Sequence, residues 1–449
     1  MNLPLPSHPT ITDRKLKSSL LVAPTLGTAL LAMPAWAQET TTALADPGHT
    51  AFVFACALAV LLMTIPGLAL FYAGLVRAKN VLSVLMQVFA TTSVISILWV
   101  LYGYSLAFTD GGSLQAFIGG LDKVFLRRVN TESLVGEIPE LLYILFMGLF
   151  AAITPALIVG GFAERMKFSA VMLFTVIWFT INYIPMAHMG WGGGWVFEWG
   201  PQDFAGGNVV HINIGVAALV AAWMVGPRLE PTMAPHNMTM NMTGASLLWV
   251  GWLGFCGGCA LVANGYSMLV VFNTMLGSAG GATAWMLIEW LHRGKPSMLG
   301  IASGAITGLV AITPACGFVG PVGAILVGVL STPVCILAVE KLKPMLGQDD
   351  ALDVFGIHGI GGIIGGLLTT VFALSVFAGQ GLPEGRGLGA QMLVQIGAIV
   401  FSIIFSAITS YIALKIASIA CGGLRVSDEQ QEIGLDPSEH GEVGYKLSA

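Results

Sequence analysis

From residue 51 to residue 419 the chain alternates long apolar runs with short polar connections. The runs fall at about 51–76, 81–107, 140–162, 168–190, 208–226, 243–262, 267–290, 298–314, 317–341, 352–376 and 390–419. A helix needs about 20 apolar residues to cross a hydrocarbon core about 30 Å thick. The pattern therefore predicts an all-α membrane protein with about eleven transmembrane helices. The runs are nearly continuous, which reads as one membrane domain over 51–420. Ahead of it, Arg14, Lys15 and Lys17 precede an apolar stretch from Ser19 to Met33 and then Pro34-Ala35-Trp36-Ala37. That is the form of a signal peptide over 1–37, and the apolar stretch is short for an uncleaved anchor. Cleavage leaves 38–50 as a short periplasmic N-terminal segment. The polar, acidic stretch 421–449 reads as a flexible tail.

Eleven crossings from an outside start put that tail in the cytoplasm, and the basic residues agree. Connections assigned inside hold Arg77, Lys79, Arg165, Lys167, Arg228, Arg293, Lys295, Lys341 and Lys343, and the tail holds Arg425 and Lys446. Connections assigned outside hold Lys123, Arg127, Arg128 and Arg386, mostly in one long loop at about 108–139. Five runs precede the loop at about 227–242 and five follow it, so the second set starts from the opposite side. This predicts inverted repeats over about 51–226 and 243–376, plus a last helix at 390–419, with a binding site near the midplane between them. The AITPA segment at Ala152–Ala156 and again at Ala311–Ala315 is consistent with a duplication.

Composition narrows the class. The chain of 449 residues is 55% hydrophobic and 10% charged, more apolar surface than a soluble fold of this size hides. The net charge of −5 resides in loops and tails, and nothing points to nucleic acid. The six cysteines are scattered, which argues against a disulfide framework. Cys256 and Cys259 form a C-x-x-C in an apolar run with no second cysteine pair, a setting that suits close helix packing better than redox or metal chemistry.

The chemistry concentrates in one repeated spacing. Asp203 stands eight residues before His211, and Asp350 eight before His358, each in a Gly-rich apolar segment. If each helix starts at its Asp, the His lies about 12 Å inside it. An imidazole at that depth is costly, which marks the pair as functional; for either His alone, a structural histidine bonded to a neighbouring helix is the competing reading. Phe146, Phe150, Trp191, Trp252 and Phe255 are the aromatic residues expected to face the pair. Such a passage disfavours ions and favours small neutral species, while Trp and Phe at its mouth attract a compact cation. The imidazoles can accept a hydrogen bond or relay a proton. Asp203 can cap its helix and also lend negative field to the mouth, and Asp350 and Asp353 are equal candidates for the cap at the other end.

These residues sit in segments that resemble the ammonium transporter (Amt/Mep/Rh) family, bacterial Amt branch. The segments are MTIPGLALFYAGLVRAKN (63–80), GGFAERMKF (160–168), YIPMAHMGWGGG (183–194), DFAGGNVVHIN (203–213), GWLGF (251–255), RGKPSMLG (293–300), TPACGFVGP (313–321) and DVFGIHG (353–359). The resemblance runs from about residue 50 to the tail. It implies the ammonium transporter fold in a homotrimer of the cell inner membrane, with one pore per subunit. It implies that ammonium is recruited at the periplasmic face, deprotonated and passed inward as ammonia, alone or together with a proton, for nitrogen uptake. By position, Phe146, Trp191 and Cys259 form the recruitment site, supported by Asp203. Phe150 and Phe255 form the gate, and His211, His358 and Trp252 line the pore. The family usually carries Ser where this chain has Cys259, a weaker hydrogen-bond partner, so recruitment is expected to be weaker. The tail, GLRVSDEQQEIGLDPSEHGE at 423–442, resembles the family's and implies a docking surface for a PII-type nitrogen regulator.

Two rival readings belong to other classes. An ammonium sensor would use the same site and signal through the tail and a PII regulator; an intact His pair favours transport. An Rh-like channel for a neutral gas such as carbon dioxide fits less well with Trp191 and a bacterial-type tail. An enzyme is not expected, because the His pair lacks an evident nucleophile and a two-His metal site lacks further ligands. No metal or cofactor is expected.

Overall fold

The computed structural model describes residues 44–230 and 234–445. The expected signal peptide, most of the 38–50 segment and Lys446 lie outside the described residues. Each of the eleven apolar windows carries a helix: α1 (Pro47–Leu75), α2 (Ala78–Phe108), α3 (Glu140–Phe162), α4 (Phe168–Trp199), α5 (Gly207–Val225), α6 (Met238–Gly258), α7 (Gly265–Arg293), α8 (Met298–Ile312), α9 (Pro321–Leu346), α10 (Phe355–Phe372) and α11 (Leu388–Ala420). Among the described residues, eight of them, α1–α5 and α9–α11, are long and apolar enough to cross a membrane. The helix α8 is apolar but shorter. Both α6, which opens on Met238-Thr239-Met240-Asn241, and α7, which closes on Glu289, His292 and Arg293, are more polar at one end.

Local chemistry sets several of the starts. Asn237 accepts from Met240 N at 2.9 Å to open α6, and Ser297 accepts from Gly300 N at 2.9 Å to open α8. Asn264 and Ser267 form a reciprocal capping box at α7. The helix α3 is almost wholly buried and packs against α1, α2 and α5. By contrast, α11 turns Leu393, Val400, Ile404 and Ile408 outward, as a lipid-facing helix does. The two His-bearing helices cross closely at Gly215 and Gly359, where a Cβ on Gly215 would strike the Gly359 backbone.

Two of the basic residues that break the positive-inside pattern have local partners. Lys123 pairs with Glu140, a buried carboxylate that also accepts from the Tyr104 hydroxyl at 2.6 Å. Arg386 donates to Trp199 O at 2.7 Å and Gly200 O at 3.0 Å, meeting the negative end of α4. In the long loop a two-stranded hairpin, β1 (Leu134–Val135) with β2 (Ile138–Pro139), leads into α3. The opposite end of the bundle gathers charges. Glu164 accepts from Arg77 Nε at 3.1 Å and from Asn80 Nδ2 at 2.6 Å, and Arg228 Nε donates to Asp349 at 2.7 Å. Burial raises the Asp349 carboxyl, but the Arg228 hydrogen bonds and the Arg165 and Arg228 charges outweigh it and hold it below the usual range.

The tail differs from the flexible end expected from its composition. Residues 421–445 lie folded against the bundle and include two short helices, α12 (Asp428–Ile433) and α13 (Leu435–His440). Lys167 N donates to Leu424 O at 2.9 Å and Val426 N to Arg165 O at 3.1 Å. Asp436 accepts from Leu82 N at 3.0 Å and Ser83 N at 2.7 Å, and Asn80 Oδ1 accepts from Leu435 N at 2.7 Å. Asp436 thus meets free N–H groups at a helix start, a pairing that composition alone does not reveal.

Candidate functional site

One face of α3 carries Tyr143, Phe146, Met147 and Phe150, at the i, i+3, i+4 and i+7 positions that share a helix face. These four enclose a cavity of about 120 Å³ together with Trp191 from α4, Phe204, Cys259 and Leu261. Its walls hold no carboxylate. The cysteine offers little to a cation's hydrogens, because its thiol donates to Phe255 O at 3.2 Å and thiol sulfur is a weak acceptor. What the chamber offers instead is ring faces.

The rings continue beyond the chamber in a row. Phe146 and Phe150 have centroids 5.0 Å apart, and Trp191 stands edge-on to Phe150 at 6.0 Å. Phe150 stacks on Phe255 of α6 at 3.9 Å and 17°. Beyond Phe255, at 6.4 Å, comes His211, and 5.3 Å further His358. Trp252 lies nearly parallel to both imidazoles, at 5.2 Å from His211 and 6.5 Å from His358. Both imidazoles are buried. Their Nδ1 atoms are 3.2 Å apart, so a proton on one is shared with the other.

The structure thus brings Phe146, Phe150, Trp191, Cys259, Phe255, Trp252, His211 and His358 into one continuous row. Asp203 stands apart from the chamber wall. Its carboxylate accepts from Gly206 N at 3.0 Å, Gly207 N at 2.5 Å and Asn208 N at 2.7 Å, which makes it the cap of α5. Burial pushes its carboxyl above the usual value, and these three N–H groups oppose that. At the other His-bearing helix, Asp350 is the cap, accepting from Phe355 N at 2.7 Å, while Asp353 pairs with Lys343. Burial, then the neighbouring Asp353 charge, raises the Asp350 carboxyl to about 6. The helices begin at Gly207 and Phe355, several residues after these carboxylates. Each His therefore stands about one turn into its helix, closer to the start than an Asp-to-His helix implies.

Sequence reasoning did not single out Tyr143, Met147, Phe204, Leu261 or Thr313. Tyr143 and Met147 share a helix face with Phe146, and that spacing could have found them. Thr313 joins the row through space: Trp252 Nε1 donates to its Oγ1 at 2.8 Å, and His211 Nε2 lies 3.3 Å from the same oxygen.

Such a fold, apolar helices packed around a buried file of rings and paired imidazoles, defines a multi-pass membrane protein. The profile of the Ammonium Transporter Family matches residues 51–445, and the chain belongs to that family. The ammonium transporter of Bacillus subtilis is 46% identical over 406 residues, covering 89% of this chain and 99% of its own. The crystal structure of Saccharomyces cerevisiae Mep2 superposes with a TM-score of 0.81 at 35% identity, covering 90% of this chain and 93% of that one. A structure described as a sensor Amt protein matches with a TM-score of 0.80 at 26% identity, over 88% of this chain and 98% of its own.

Proposed function

We propose that this chain is an ammonium transmembrane transporter of the bacterial Amt type. It recruits ammonium in the chamber of Phe146, Trp191 and Cys259, and the proton the ion loses is handed on to the His211–His358 pair. Ammonia then passes the stacked Phe150–Phe255 gate into a pore lined by His211, His358 and Trp252. The observation that carries this reading is the unbroken row from cation-binding rings to buried imidazoles. A carboxylate-free aromatic chamber binds a compact cation by its ring faces, and the apolar gate beyond it admits the neutral form at far lower cost than the ion. Asp203 supports recruitment by holding the start of α5 and by its field.

The full arrangement in this reading has eleven crossings, two inverted five-helix repeats over about 51–226 and 243–376, and a last helix. It has a cleaved signal peptide, a periplasmic N-terminus, a cytoplasmic tail over 421–449 and a homotrimer in the inner membrane. The folded tail suits a docking surface for a PII-type regulator. The match to a sensor Amt protein favours a second reading, in which the same chamber binds ammonium with little flux and the tail signals. The test is an inward ammonium gradient on proteoliposomes, with internal pH followed. Protein-dependent alkalinisation supports transport. An ammonium-evoked inward current without alkalinisation supports transport in which the proton accompanies ammonia; saturable ammonium binding with neither signal supports the sensor, and no response at all contradicts both.

A further inference from the structure

We propose that a second cavity beside the chamber is a binding site for a small quaternary ammonium ion, choline or a cation like it. The proposal does not depend on the transporter reading. The cavity measures about 380 Å³ and is lined by residues of α4, the loop and first turn of α5, the turn before α9, and α11. Trp191 and Phe204 line both this cavity and the chamber of about 120 Å³. Phe197, Phe318 and Phe401 bring three further rings to the second cavity alone. The rings are not stacked flat on one another: Phe204 and Phe318 meet at 6.0 Å and 88°. Five rings at differing angles are the kind of wall that holds a methylated cation.

The charge in that wall is Asp203. The residue is absent from the chamber wall and present in this one. Its carboxylate accepts from the backbone N–H groups of Gly206, Gly207 and Asn208. Those groups orient it but carry no full charge, and among the described residues no lysine or arginine pairs with it. Nor does a lysine, arginine or histidine line the cavity. Arg386, at the end of α4, is bound to the carbonyls of Trp199 and Gly200. A buried carboxylate without a counter-ion is unfavourable, and a positive occupant of the cavity offsets that. The ring faces attract the same sign of charge, so carboxylate and rings select together for a cation.

Size and lining select among cations. Small-molecule pockets begin at roughly 300 Å³, and a bare ammonium ion leaves most of this cavity unfilled. Met186, Val196 and Val209, which stand beside the rings, offer no acceptor side chain to its four N–H groups. Methyl groups on the nitrogen remove those donors, cover the rings and bury apolar surface. A quaternary ammonium ion therefore suits this cavity, as ammonium itself suits the smaller chamber. Because Trp191 and Phe204 belong to both walls, an occupant of the second cavity rests against two of the rings that enclose the first.

Titration calorimetry on the purified full chain tests this with choline and with its uncharged isostere, in which a carbon replaces the nitrogen. Choline should bind wild type saturably, and the isostere about tenfold more weakly or not at all. Phe401→Leu keeps apolar bulk but removes a ring that belongs to this cavity and not to the chamber. It should weaken choline binding about tenfold, the scale of one desolvated cation–ring contact. Phe146→Leu alters the chamber wall alone and should leave choline binding as in wild type. Three results overturn the proposal: no saturable binding of choline by wild type, equal binding of the isostere, or unchanged affinity in Phe401→Leu. Loss of binding in Phe146→Leu with retention in Phe401→Leu overturns it by placing the cation in the chamber. Should Phe401→Leu fail to fold, Phe318→Leu takes its place with the same expectation. A wild type that binds choline but gives no ammonium response contradicts the transporter reading and leaves this proposal standing.

Discussion

Asp436 is expected to be the residue that holds the tail on the bundle. Its carboxylate accepts from two backbone N–H groups at the start of α2, Leu82 at 3.0 Å and Ser83 at 2.7 Å, and the residue is 1% exposed. Asp436→Ala removes both acceptors. Loss of a helix cap costs about 1 kcal/mol, and a buried N–H left without a partner adds roughly 1–3 kcal/mol. A total near 3 kcal/mol corresponds to about a hundredfold shift in the docking equilibrium. Asp436→Asn keeps one acceptor oxygen, so about a tenfold shift is expected. Hydrogen exchange read by mass spectrometry on residues 421–445 and on the first turn of α2 measures both. The alanine variant should exchange far faster in both segments, with asparagine between it and wild type. Unchanged protection in the alanine variant would refute the reasoning, and would assign the tail's hold to its other bonds, at Leu424, Val426 and Leu435.

Three further predictions follow from the site. Cys259→Ser replaces a weak hydrogen-bond partner with a stronger one in the chamber, so the ammonium concentration for half-maximal transport should fall; an unchanged or higher value contradicts the assigned role of the thiol. Asp203→Ala strands three N–H groups at the start of α5 and should cost roughly 1–3 kcal/mol in stability, whereas Asp203→Asn should cost less; the thermal midpoints of the purified variants measure both. Asp350 has its carboxyl raised from 3.8 to about 6, so the folded state binds its proton more tightly than the unfolded chain does. Its stabilising contribution is full below about pH 4 and is lost as pH rises through about 6. Wild type should therefore lose thermal stability relative to Asp350→Asn between pH 4 and pH 7, and a constant difference over that range would refute the assignment.

Hydropathy alone located α1 to α11, because burial in lipid or protein demands apolar side chains over most of each, and it missed the short polar helices α12 and α13 of the tail. Spacing alone brought out Phe146 with Phe150 and Trp252 with Phe255, since residues three or four apart share a helix face. The D-x7-H repeat picked out two histidines whose rings lie side by side in the structure, but put the helix starts too early. The carboxylates of Asp203 and Asp350 cap from several residues upstream, across a loop whose shape the spacing does not encode. Thr313 and Phe204 were not singled out, because they join the row through contacts with other segments of the chain and not through spacing along one helix. The folded tail was hidden for the same reason: Asp436 meets Leu82 and Ser83 across more than 350 residues of chain. No local pattern announces such a pairing.

The most direct test of the central claim is ammonium-evoked current on solid-supported membranes, wild type beside the His211→Ala/His358→Ala double variant. The account predicts a current in wild type that the double variant loses, placing the imidazole pair on the path of the proton taken from ammonium. A current of the same size and ammonium dependence in both would contradict it.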